Sequence, residues 1–596
     1  MWRGGILRRK PYMDLAALLL LILVMLAQPG ASVSRPTGEN VRGHAFSTSF
    51  SSGNQGSILE ADEPVPLWNR TFGGIGNEYA YSMIQTSDNG FLLTGGTLSF
   101  GGGGSDFWLV KTDPSGNMQW NKTYGGIGDE EAHSVTRTLD GGYAILGRTD
   151  SFGSGGYDFW LVKTGSSGIM MWNKTYGGVG DDDGWSIEEN PDGSLIVAGL
   201  STSFGMGSGD FWLVKTDASG TMLWNKTYGG PLLDMASSVV KTADGGYALT
   251  GYTYSFGAGN SDFWLVKTDA FGVEQWNKTY GGANDDFGFS LLQTSDRGYA
   301  LAGSTSSFGQ GVYDFWFIRT DQYGNTVWNK TYGGIGYDEA WATLQVSDYR
   351  FVLAGWTESF GAGNSDCWLI ATDASGNPQW NVTWGGAEND YAYSVLQCND
   401  GNFALVGETR SFGAVGSDFL LVKFSGVANV AITNVTTLKN VVGQGYTTNI
   451  SVIATNEGDL TETFNVTVRV NVTSVASQTL TLTSGESRTM LFVWDTSSFA
   501  KGNYTLSAYA WPVQGEADTA DNNFTEGWIM VSIVGDVNGD GKVDGKDLGS
   551  VAWCFGSYPG AHPPMSWDPN CDTNNDGKVD GKDLGIVAWH FGEPHP

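Results

Sequence analysis

Residues 224–280 read WNKTYGGPLLDMASSVVKTADGGYALTGYTYSFGAGNSDFWLVKTDAFGVEQWNKTY, which is one full unit of a repeat and the start of the next. The first Trp of the unit recurs every 52 residues without a slip, at Trp68, Trp120, Trp172, Trp224, Trp276, Trp328 and Trp380. Each copy opens on Trp-Asn-x-Thr-aromatic-Gly-Gly. A fixed period of this length is the signature of a repeat architecture.

Four short strands fit within each unit. In the quoted copy we expect strand a over 237–242, strand b over 247–253, strand c over 263–268 and strand d over 274–280. Asp244-Gly245 between strands a and b is a hairpin signal. Seven four-stranded units predict a seven-bladed β-propeller over residues 67–426, in which each blade buries its faces against its neighbours. The 87 glycines and 13% aromatic residues agree with a mainly β fold.

The phase of the repeats predicts how the ring closes. The series begins with a lone strand d at Trp68 and ends with strand c of the last copy near Phe424. We expect the lone strand to pair beside Asp418–Lys423, because this removes two exposed sheet edges. An open solenoid is the competing architecture, and it needs capping ends that the sequence does not contain.

The repeats resemble the secreted propeller repeats of bacteria and archaea that carry G-G, D-G-G-Y, D-x-W-x-x-K and G-x-x-x-W signatures. The resemblance covers roughly residues 67–425. It implies a propeller fold and export, and it says little about a ligand.

The N-terminus has the pattern of a signal peptide, assigned to residues 1–32, with a linker over 33–66. Basic residues precede an apolar run from Leu15 to Ala27, which is short for a membrane span. A retained N-terminal anchor is the alternative. No second run of spanning length follows, so we expect a secreted or cell-surface protein with no membrane span beyond the N-terminal signal.

Composition excludes several classes of function. A net charge of −31 argues against nucleic acid and anionic lipid as partners. Four cysteines exclude a disulfide scaffold, although Cys554 and Cys571 can pair in an oxidising compartment. Glycosylation sequons Asn-x-Ser/Thr also occur outside the repeats, as at Asn434 and Asn503, and are hints of a glycoprotein.

Three positions of the repeat are acidic in every copy. The first acidic ring, at the d to a loop, is Glu78, Glu130, Asp182, Asp234, Asp286, Asp338 and Asp390. The second, in the a to b turn, is Asp88, Asp140, Asp192, Asp244, Asp296, Asp348 and Asp400. The third, where strand c begins, is Asp106, Asp158, Asp210, Asp262, Asp314, Asp366 and Asp418.

Two interpretations of these acids are open. The first and third rings share one face of a propeller, where they and the Ser-Phe-Gly loops would form an electronegative surface suited to cations or glycans. Alternatively, the carboxylates accept backbone N–H groups at turns, which is the commoner role. We predict no catalytic residues, since the only His of the repeats is His133, which sister copies do not share.

The period ends after Gly426, and residues 427–534 predict an immunoglobulin-like β-sandwich. Alternating stretches include Phe464–Val472 and Gln478–Leu482. The runs NEGDLTETFNVTVRV, LTSGESRTMLFVWDT and GNYTLSAYAWPVQGEADTADNN resemble the cell-adhesion-related (CARDB-like) domain of prokaryotic surface proteins. This resemblance implies an adhesion module or a spacer.

Two near-identical acidic loops follow: DVNGDGKVDGKDLGSVAWCFG from Asp536 and DTNNDGKVDGKDLGIVAWHFG from Asp572. Ca²⁺ takes six or more oxygen ligands from a sharply bent loop, at positions 1, 3, 5, 7, 9 and 12. The predicted ligands of the first loop are Asp536, Asn538, Asp540, the Lys542 carbonyl, Asp544 and Asp547. Those of the second are Asp572, Asn574, Asp576, the Lys578 carbonyl, Asp580 and Asp583. We therefore expect two calcium ions, with position 9 acting through water.

Each loop leads into one predicted helix, with an apolar face Leu548, Val551, Ala552, Phe555 or Leu584, Val587, Ala588, Phe591. A loop followed by a single helix, with Asp at position 12, resembles dockerin repeats, here over residues 535–592. The resemblance implies calcium-dependent folding and docking to a cohesin-like domain or surface scaffold, in two orientations because the halves are alike. Positions 10 and 11 are Gly-Lys in both copies instead of small hydroxyl pairs, which leaves the partner open.

Together these patterns predict a non-enzymatic, secreted or cell-surface, calcium-binding protein whose propeller presents a glycan or protein ligand site. The alternatives are an enzyme of polysaccharide breakdown and a structural surface-layer component.

Overall fold

Strands dominate the chain in the computed structural model, which describes residues 63–347, 350–559 and 567–592. Seven four-stranded antiparallel sheets come first, then the two sheets of a sandwich and two short helices. The predicted signal peptide, 1–32, and all of the predicted linker except its last four residues lie outside the described residues.

Each of the seven sheets has the order a, b, c, d. Strands a are Glu78–Gln85, Glu130–Arg137, Asp182–Glu189, Asp234–Lys241, Asp286–Gln293, Asp338–Ser347 and Asp390–Gln397. Strands b are Phe91–Thr97, Tyr143–Thr149, Leu195–Ser201, Tyr247–Thr253, Tyr299–Thr305, Arg350–Thr357 and Phe403–Thr409. Strands c are Asp106–Thr112, Asp158–Thr164, Asp210–Thr216, Asp262–Thr268, Asp314–Thr320, Asp366–Asp373 and Asp418–Phe424. Strands d are Met118–Tyr124, Met170–Tyr176, Met222–Tyr228, Glu274–Tyr280, Thr326–Tyr332, Pro378–Trp384 and, in the last sheet, Pro66–Phe72.

The predicted pairing of the first strand with the last strand c is present. Pro66–Phe72 runs antiparallel to Asp418–Phe424, with Trp68 opposite Lys423 and Phe72 opposite Phe419. Each sheet contacts the next one along the chain, and the seventh contacts the first. Strands a of neighbouring sheets touch one another, so they line the centre of this closed arrangement, which we call the ring.

The faces of neighbouring sheets are held together by buried aromatic side chains from strand c. Phe107 lies 4.6 Å from Trp160 of the next sheet, and Phe419 of the last sheet lies 4.6 Å from Trp108 of the first. Between the sixth and seventh sheets Cys367 and Leu420 take these positions in one core cluster. Cys367 is therefore a core residue.

Every first-ring acid ties two loops to the start of strand a. The Gly230 N–H donates to Asp234 Oδ2 at 2.7 Å, and the Thr253 hydroxyl donates to Asp234 Oδ1. Equivalent pairs of bonds occur in all seven sheets. These carboxylates are fully buried. Strand a begins at the acid itself, which in the fourth sheet is three residues earlier than predicted.

A buried pair of carboxyl groups lies at each junction between sheets. A Cβ at Gly73 would lie 1.7 Å from Asp418 Oδ1 and 2.5 Å from Glu78 Oε2, so the two carboxyls converge on this glycine. The same convergence of a third-ring and a first-ring acid occurs at Gly125, Gly177, Gly229, Gly281, Gly333 and Gly385. Only glycine fits there. Burial raises the pKa of every third-ring Asp, and the facing carboxylate adds to the effect.

Strand a of every sheet also carries a β-bulge. The ladder to strand b slips after the small residue at the third position of the strand, as between Ala80 and Ser82. The bulged residues are Tyr81, His133, Trp185, Ser237, Phe289, Trp341 and Tyr393.

The sandwich follows the ring directly and is anchored to it. Its strands are Val430–Thr437, Val441–Gly443, Thr447–Asn456, Glu462–Val470, Thr473–Leu482, Ser487–Asp495, Gly502–Ala510 and Asn523–Ser532, in sheets of three and five strands. Alternate side chains of both sheets form one apolar core. Arg350 of the ring pairs with the buried Asp459 at 2.9 Å, and Asp459 Oδ2 accepts the Val427 N–H.

The C-terminal module contains helix α1, Gly545–Trp553, a 3₁₀ turn, Pro569–Cys571, and helix α2, Gly581–Trp589. Asp544 and Asp580 cap the two helices, each within a capping box. Among the described residues, no helix has both the length and the apolar content of a membrane span.

We predict that Asp366→Asn stabilises the ring at neutral pH. Burial raises the pKa of Asp366 to about 6. Between about pH 4 and 6 this carboxyl is therefore protonated in the folded state and ionised in the unfolded chain. Stability from this group is present below pH 4 and is lost as the pH rises through 6. The amide keeps the acceptor and offers Asp390 an N–H, so the variant should gain about 1–2 kcal/mol at pH 7.

The measurement is the urea midpoint of the full chain between pH 4 and 8. Asp373→Asn, at the end of strand c where the exposed c to d turn begins, is the matched control and should leave the pH profile as in the parent. A parent profile that is flat between pH 4 and 6 would contradict the shared burial of this pair.

Candidate metal centre

The first acidic loop brings three predicted ligands together. Carboxylate oxygens of Asp536, Asp540 and Asp547 all lie within 4.8 Å of one another. Asp547 is fully buried, and its Oδ1 accepts the Val537 and Asn538 N–H groups at 2.9 and 3.1 Å. The loop is therefore bent around a group of carboxylates with little freedom to separate. This donor set fits a hard divalent cation such as Ca²⁺.

The other predicted ligands of the first loop take different positions. Asn538 Oδ1 accepts the Asp540 N–H, and Asp544 Oδ1 caps helix α1 by accepting the Lys546 N–H at 2.7 Å. The cap agrees with a position 9 that reaches a metal through water. The Lys542 and Lys578 side chains are exposed and contain no oxygen. The backbone carbonyl is therefore the oxygen that each of these residues can offer to a metal.

The second loop repeats the backbone contacts of the first. Asp572 Oδ2 accepts the Gly577 N–H at 2.9 Å, as Asp536 Oδ2 accepts that of Gly541. Asp583 Oδ1 accepts the Asn574 N–H, and Asp583 Oδ2 accepts that of Asp580. Asp576 lies in the same loop, where its Oδ2 is 3.3 Å from Lys582 Nζ.

The second loop has a charged neighbour in the sandwich, Lys439. The Lys439 ammonium is buried and donates to the backbone carbonyl of Asp572. Its charge acts on the carboxylates of Asp572 and Asp583, two of the predicted ligands. Asn570 beside the loop also bonds to Asn440 at 2.6 Å. The two loops, alike in sequence, thus lie in unlike electrostatic surroundings.

The helices and loops of the module share one small core with twofold character. Val543, Val551, Val579 and Val587 are fully buried in it. The Gly556 N–H donates to the Val579 carbonyl and the Gly592 N–H to the Val543 carbonyl, both at 2.7 Å. Each loop is therefore tied to the end of the other loop's helix.

The predicted apolar face of each helix is wrong at two of its four positions. Leu548 and Val551 pack inward, but Ala552 is exposed and Phe555 is 51% exposed. The helix ends at Trp553 and Gly556 turns the chain in the left-handed region, so the helical period no longer holds at Phe555. Cys554 takes the buried place, and its Sγ lies 2.9 Å from that of Cys571, with both present as thiols.

The acidic rings of the repeats do not form the exposed electronegative surface that was one of their two interpretations. The first and third rings are buried and bonded to backbone N–H groups. Five second-ring acids pair with a cation from strand c, as in Asp88 with Lys111 at 2.9 Å. Asp192 accepts the Ser194 N–H instead, and Asp348 lies outside the described residues. The interpretation as turn residues is therefore confirmed for the first and third rings.

Residues 534–591 match the family model described as the Dockerin type I domain. Modules of this family typically bind cohesin domains and occur in extracellular or cell-surface proteins. The match agrees with the predicted resemblance over residues 535–592 and with a calcium-binding role for the loops.

A curated relative, the Regulatory protein FlaEY of Caulobacter vibrioides, is 28% identical over 229 residues. The aligned part is 34% of this chain and 23% of that protein, so the chain spans about a quarter of the relative's length.

Solved structures similar to parts of the chain include the CARDB domain of a Pyrococcus furiosus protein in complex with di-metal ions. It is 21% identical and covers 18% of this chain and 89% of that one, with a TM-score of 0.16. A subtype N11 neuraminidase-like protein of A/flat-faced bat/Peru/033/2010 (H18N11) is 11% identical. It covers 61% of this chain and 93% of that one, with a TM-score of 0.31.

Asp540→Ala and Asp576→Ala should each remove one calcium ion from the full chain. Both acids lie at position 5 of their loops and are exposed, so each substitution removes one ligand without creating a cavity in the core. We expect calorimetric titration to give two ions for the parent and one for each variant. Asp568→Ala, an acid outside both loops, should keep two. Two ions in either position 5 variant would contradict the assignment.

Lys439→Met should raise the calcium affinity of the second loop by about tenfold, because it removes a positive charge beside two ligands. Lys542→Met removes an exposed charge from the first loop and is the matched control. The Asp540→Ala background isolates the second loop in the same titration. A fall in affinity would mean instead that Lys439 serves to hold the loop in shape.

Proposed function

We propose that this chain is a secreted or cell-surface modular protein without catalytic activity. Its calcium-loaded C-terminal module attaches a seven-bladed propeller to a cohesin-like domain or surface scaffold. The propeller is carried on a spacer sandwich and acts as a binding platform that presents a ligand site. The observation that carries the proposal is the doubled loop and helix at residues 535–592, together with the family match of the same segment.

The surface of the C-terminal module supports a docking role. Trp553 and Trp589, at the last position of each helix, are 78% and 85% exposed. Phe555 and Phe591 follow them and are also exposed. Large exposed aromatic side chains are typical anchors of protein interfaces. Since both halves offer the same pair, a partner can bind either half.

The contacts on both sides of the sandwich support its role as a spacer. Arg350 of the ring donates to the Glu457 carbonyl of the sandwich, in addition to its ion pair with Asp459. At the other end Asn440 and Lys439 contact the C-terminal module. The sandwich is thus joined to both neighbours by polar contacts. It therefore links the ring to the C-terminal module, so that binding of the module to a partner also holds the ring in place.

The state of His133 supports the absence of histidine catalysis in the ring. Burial alone would lower its pKa, but the carboxylates of Asp183 and Glu131 outweigh burial and raise the pKa to about 9. A protonated imidazole between two acids is not available as a general base at neutral pH.

Single substitution of Trp553 or Trp589 by Ala should reduce binding to a cohesin domain by less than tenfold, and the double substitution by a hundredfold or more. The remaining half supports binding in each single variant. Binding of the full chain to immobilised type I cohesin domains, with calcium and with chelator, measures this.

Trp528→Ala, an exposed Trp of the sandwich, is the control and should bind as the parent does. Equal binding by the double variant would exclude this surface, and binding that is insensitive to chelator would exclude calcium-dependent attachment.

A further inference from the structure

The repeats are most alike where the fold needs them and least alike along the axis of the ring. In all seven sheets the first cross-strand pair of strands a and b is an acid opposite a hydroxyl residue, such as Asp234 opposite Thr253. The third pair is Ala or Gly opposite Gly, such as Ala236 opposite Gly251. Both pairs are fixed by packing and hydrogen bonding.

The pair between these two is different in every sheet. It is Glu131 opposite Arg148 in the second sheet, Met235 opposite Tyr252 in the fourth, and Phe287 opposite Ser304 in the fifth. No two of the seven are the same. Its side chains point to the other face of the strand from the invariant pairs. Because the cross-strand pairs on either side are constant, packing within the sheet does not explain why this pair varies.

The bulged residue two positions further along strand a varies in the same way. In chain order these residues are Tyr, His, Trp, Ser, Phe, Trp and Tyr. Bulges re-aim a side chain away from the ladder, and they are common beside functional sites.

The bulged residues meet one another around the axis. Tyr81 lies 5.3 Å from His133 on one side and 5.1 Å from Tyr393 on the other. His133 stacks on Trp185 at 4.1 Å, and Trp341 stacks on Phe289 at 4.4 Å. The belt of rings is interrupted in the fourth sheet, where the bulged residue is Ser237.

One half of the axial face is a closed ionic network. Arg148 donates to Glu131 at 2.7 Å and to Asp183 at 3.3 Å, and Tyr81 donates to Glu131 Oε1. His133 completes it beside Asp183. These two acids and two bases balance one another's charge, although Trp185 Nε1 beside them has no hydrogen-bond partner among the described residues.

The other half has aromatic rings and polar atoms without partners. Phe287 contacts Tyr252 and Tyr313, and Trp356 contacts Tyr391 at 5.2 Å. Among the described residues of this half, the hydroxyls of Ser237 and Ser304 and Glu408 Oε2 are buried and have no hydrogen-bond partner. Buried polar atoms are rarely left without a partner in a folded protein, and three of them in the fourth to seventh sheets indicate a missing polar partner.

We propose that the axial face of the ring binds a carbohydrate. Its C–H faces would stack on the rings of the fifth to seventh sheets, and its hydroxyls would bond to the carboxyls of Glu339 and Glu408 and to the unpartnered hydroxyls of Ser237 and Ser304. The inference rests on the proposed function, in which the ring presents a ligand site. It assigns that site to the axis and its ligand to one chemical class.

Sugar hydroxyls both donate and accept, which matches a face that holds orphaned donors and an orphaned acceptor together. Aromatic faces carry negative quadrupole charge that suits the C–H groups of a pyranose ring. Burial raises the pKa values of Glu339 and Glu408 to about 7, so near neutral pH each carboxyl is shared between a donor and an acceptor form. An anionic ligand would instead face the carboxyls of Glu339 and Glu408. The charge of Arg410 acts on Glu408, but among the described residues the two form no ion pair.

The test is calorimetric titration of the full chain at pH 7 with cellohexaose, xylohexaose, mannohexaose and hexagalacturonate. We expect at least one neutral hexasaccharide to bind, and Trp356→Ala and Glu339→Gln to weaken that binding by tenfold or more. Phe271→Ala, an exposed aromatic in a c to d turn, is the matched control and should bind as the parent does.

Glu339→Gln conserves shape, so it keeps the test decisive if Trp356→Ala does not fold, as judged by its unfolding midpoint. Binding of none of the four sugars would overturn the inference, and so would binding that both axial variants retain. Capture of the same preparations by a cohesin domain reports on the proposed attachment, so the two failures are distinguishable.

Discussion

Pairing of residues 66–72 with residues 418–424 is the constraint on which the rest of the structure depends. It joins strands that lie about 350 residues apart in the chain, and it gives the last sheet its fourth strand. Without it the first and seventh sheets would each present an apolar face and the seventh an unpaired edge. The Phe419 to Trp108 contact shows that the closing junction is packed like the others. Closure also fixes the axis, because only a complete ring brings Tyr393 of the last sheet against Tyr81 of the first.

Part of the large negative charge of the chain is an internal feature. Fourteen acids of the first and third rings are buried in pairs, and they serve the loops as acceptors for backbone N–H groups. Such pairs oppose folding when both are ionised, and burial raises the pKa of the third-ring member accordingly. The ring therefore carries a repeated electrostatic cost that the bonds to glycine N–H groups and hydroxyls offset. Net charge read from composition gives no information about such an arrangement, because it does not tell surface acids from buried ones.

Much of the fold follows from the sequence, because the 52-residue period and its phase are properties of the chain alone. Strands b and d of the quoted unit have the predicted bounds, and the closing pair is the predicted one. The start of strand a was set too late, because the acid that begins it looks like a loop residue until its hydrogen bonds are known. The two acidic loops were identified from ligand spacing, whereas Lys439 was missed because it is 133 residues from Asp572 in sequence. The axial residues were missed for another reason: comparison of whole repeats hides three variable positions among many constant ones, and only the register of strands a and b singles them out.

The two kinds of repeat in this chain obey one rule, that identical sequence gives identical backbone but not an identical site. The two acidic loops share their turns and caps, yet the second has a sandwich ammonium beside its predicted ligands and the first does not. The seven sheets share their cores, yet the bulged residue is Ser237 in the fourth sheet and Trp341 in the sixth. Ser237 interrupts the belt of aromatic rings, whereas Trp341 is part of it. In both cases the constant residues satisfy the backbone and the core, and so they leave a few positions free to differ. Function in a repeat protein of this kind is therefore to be sought at positions that break the repeat while their neighbours on the ladder keep it.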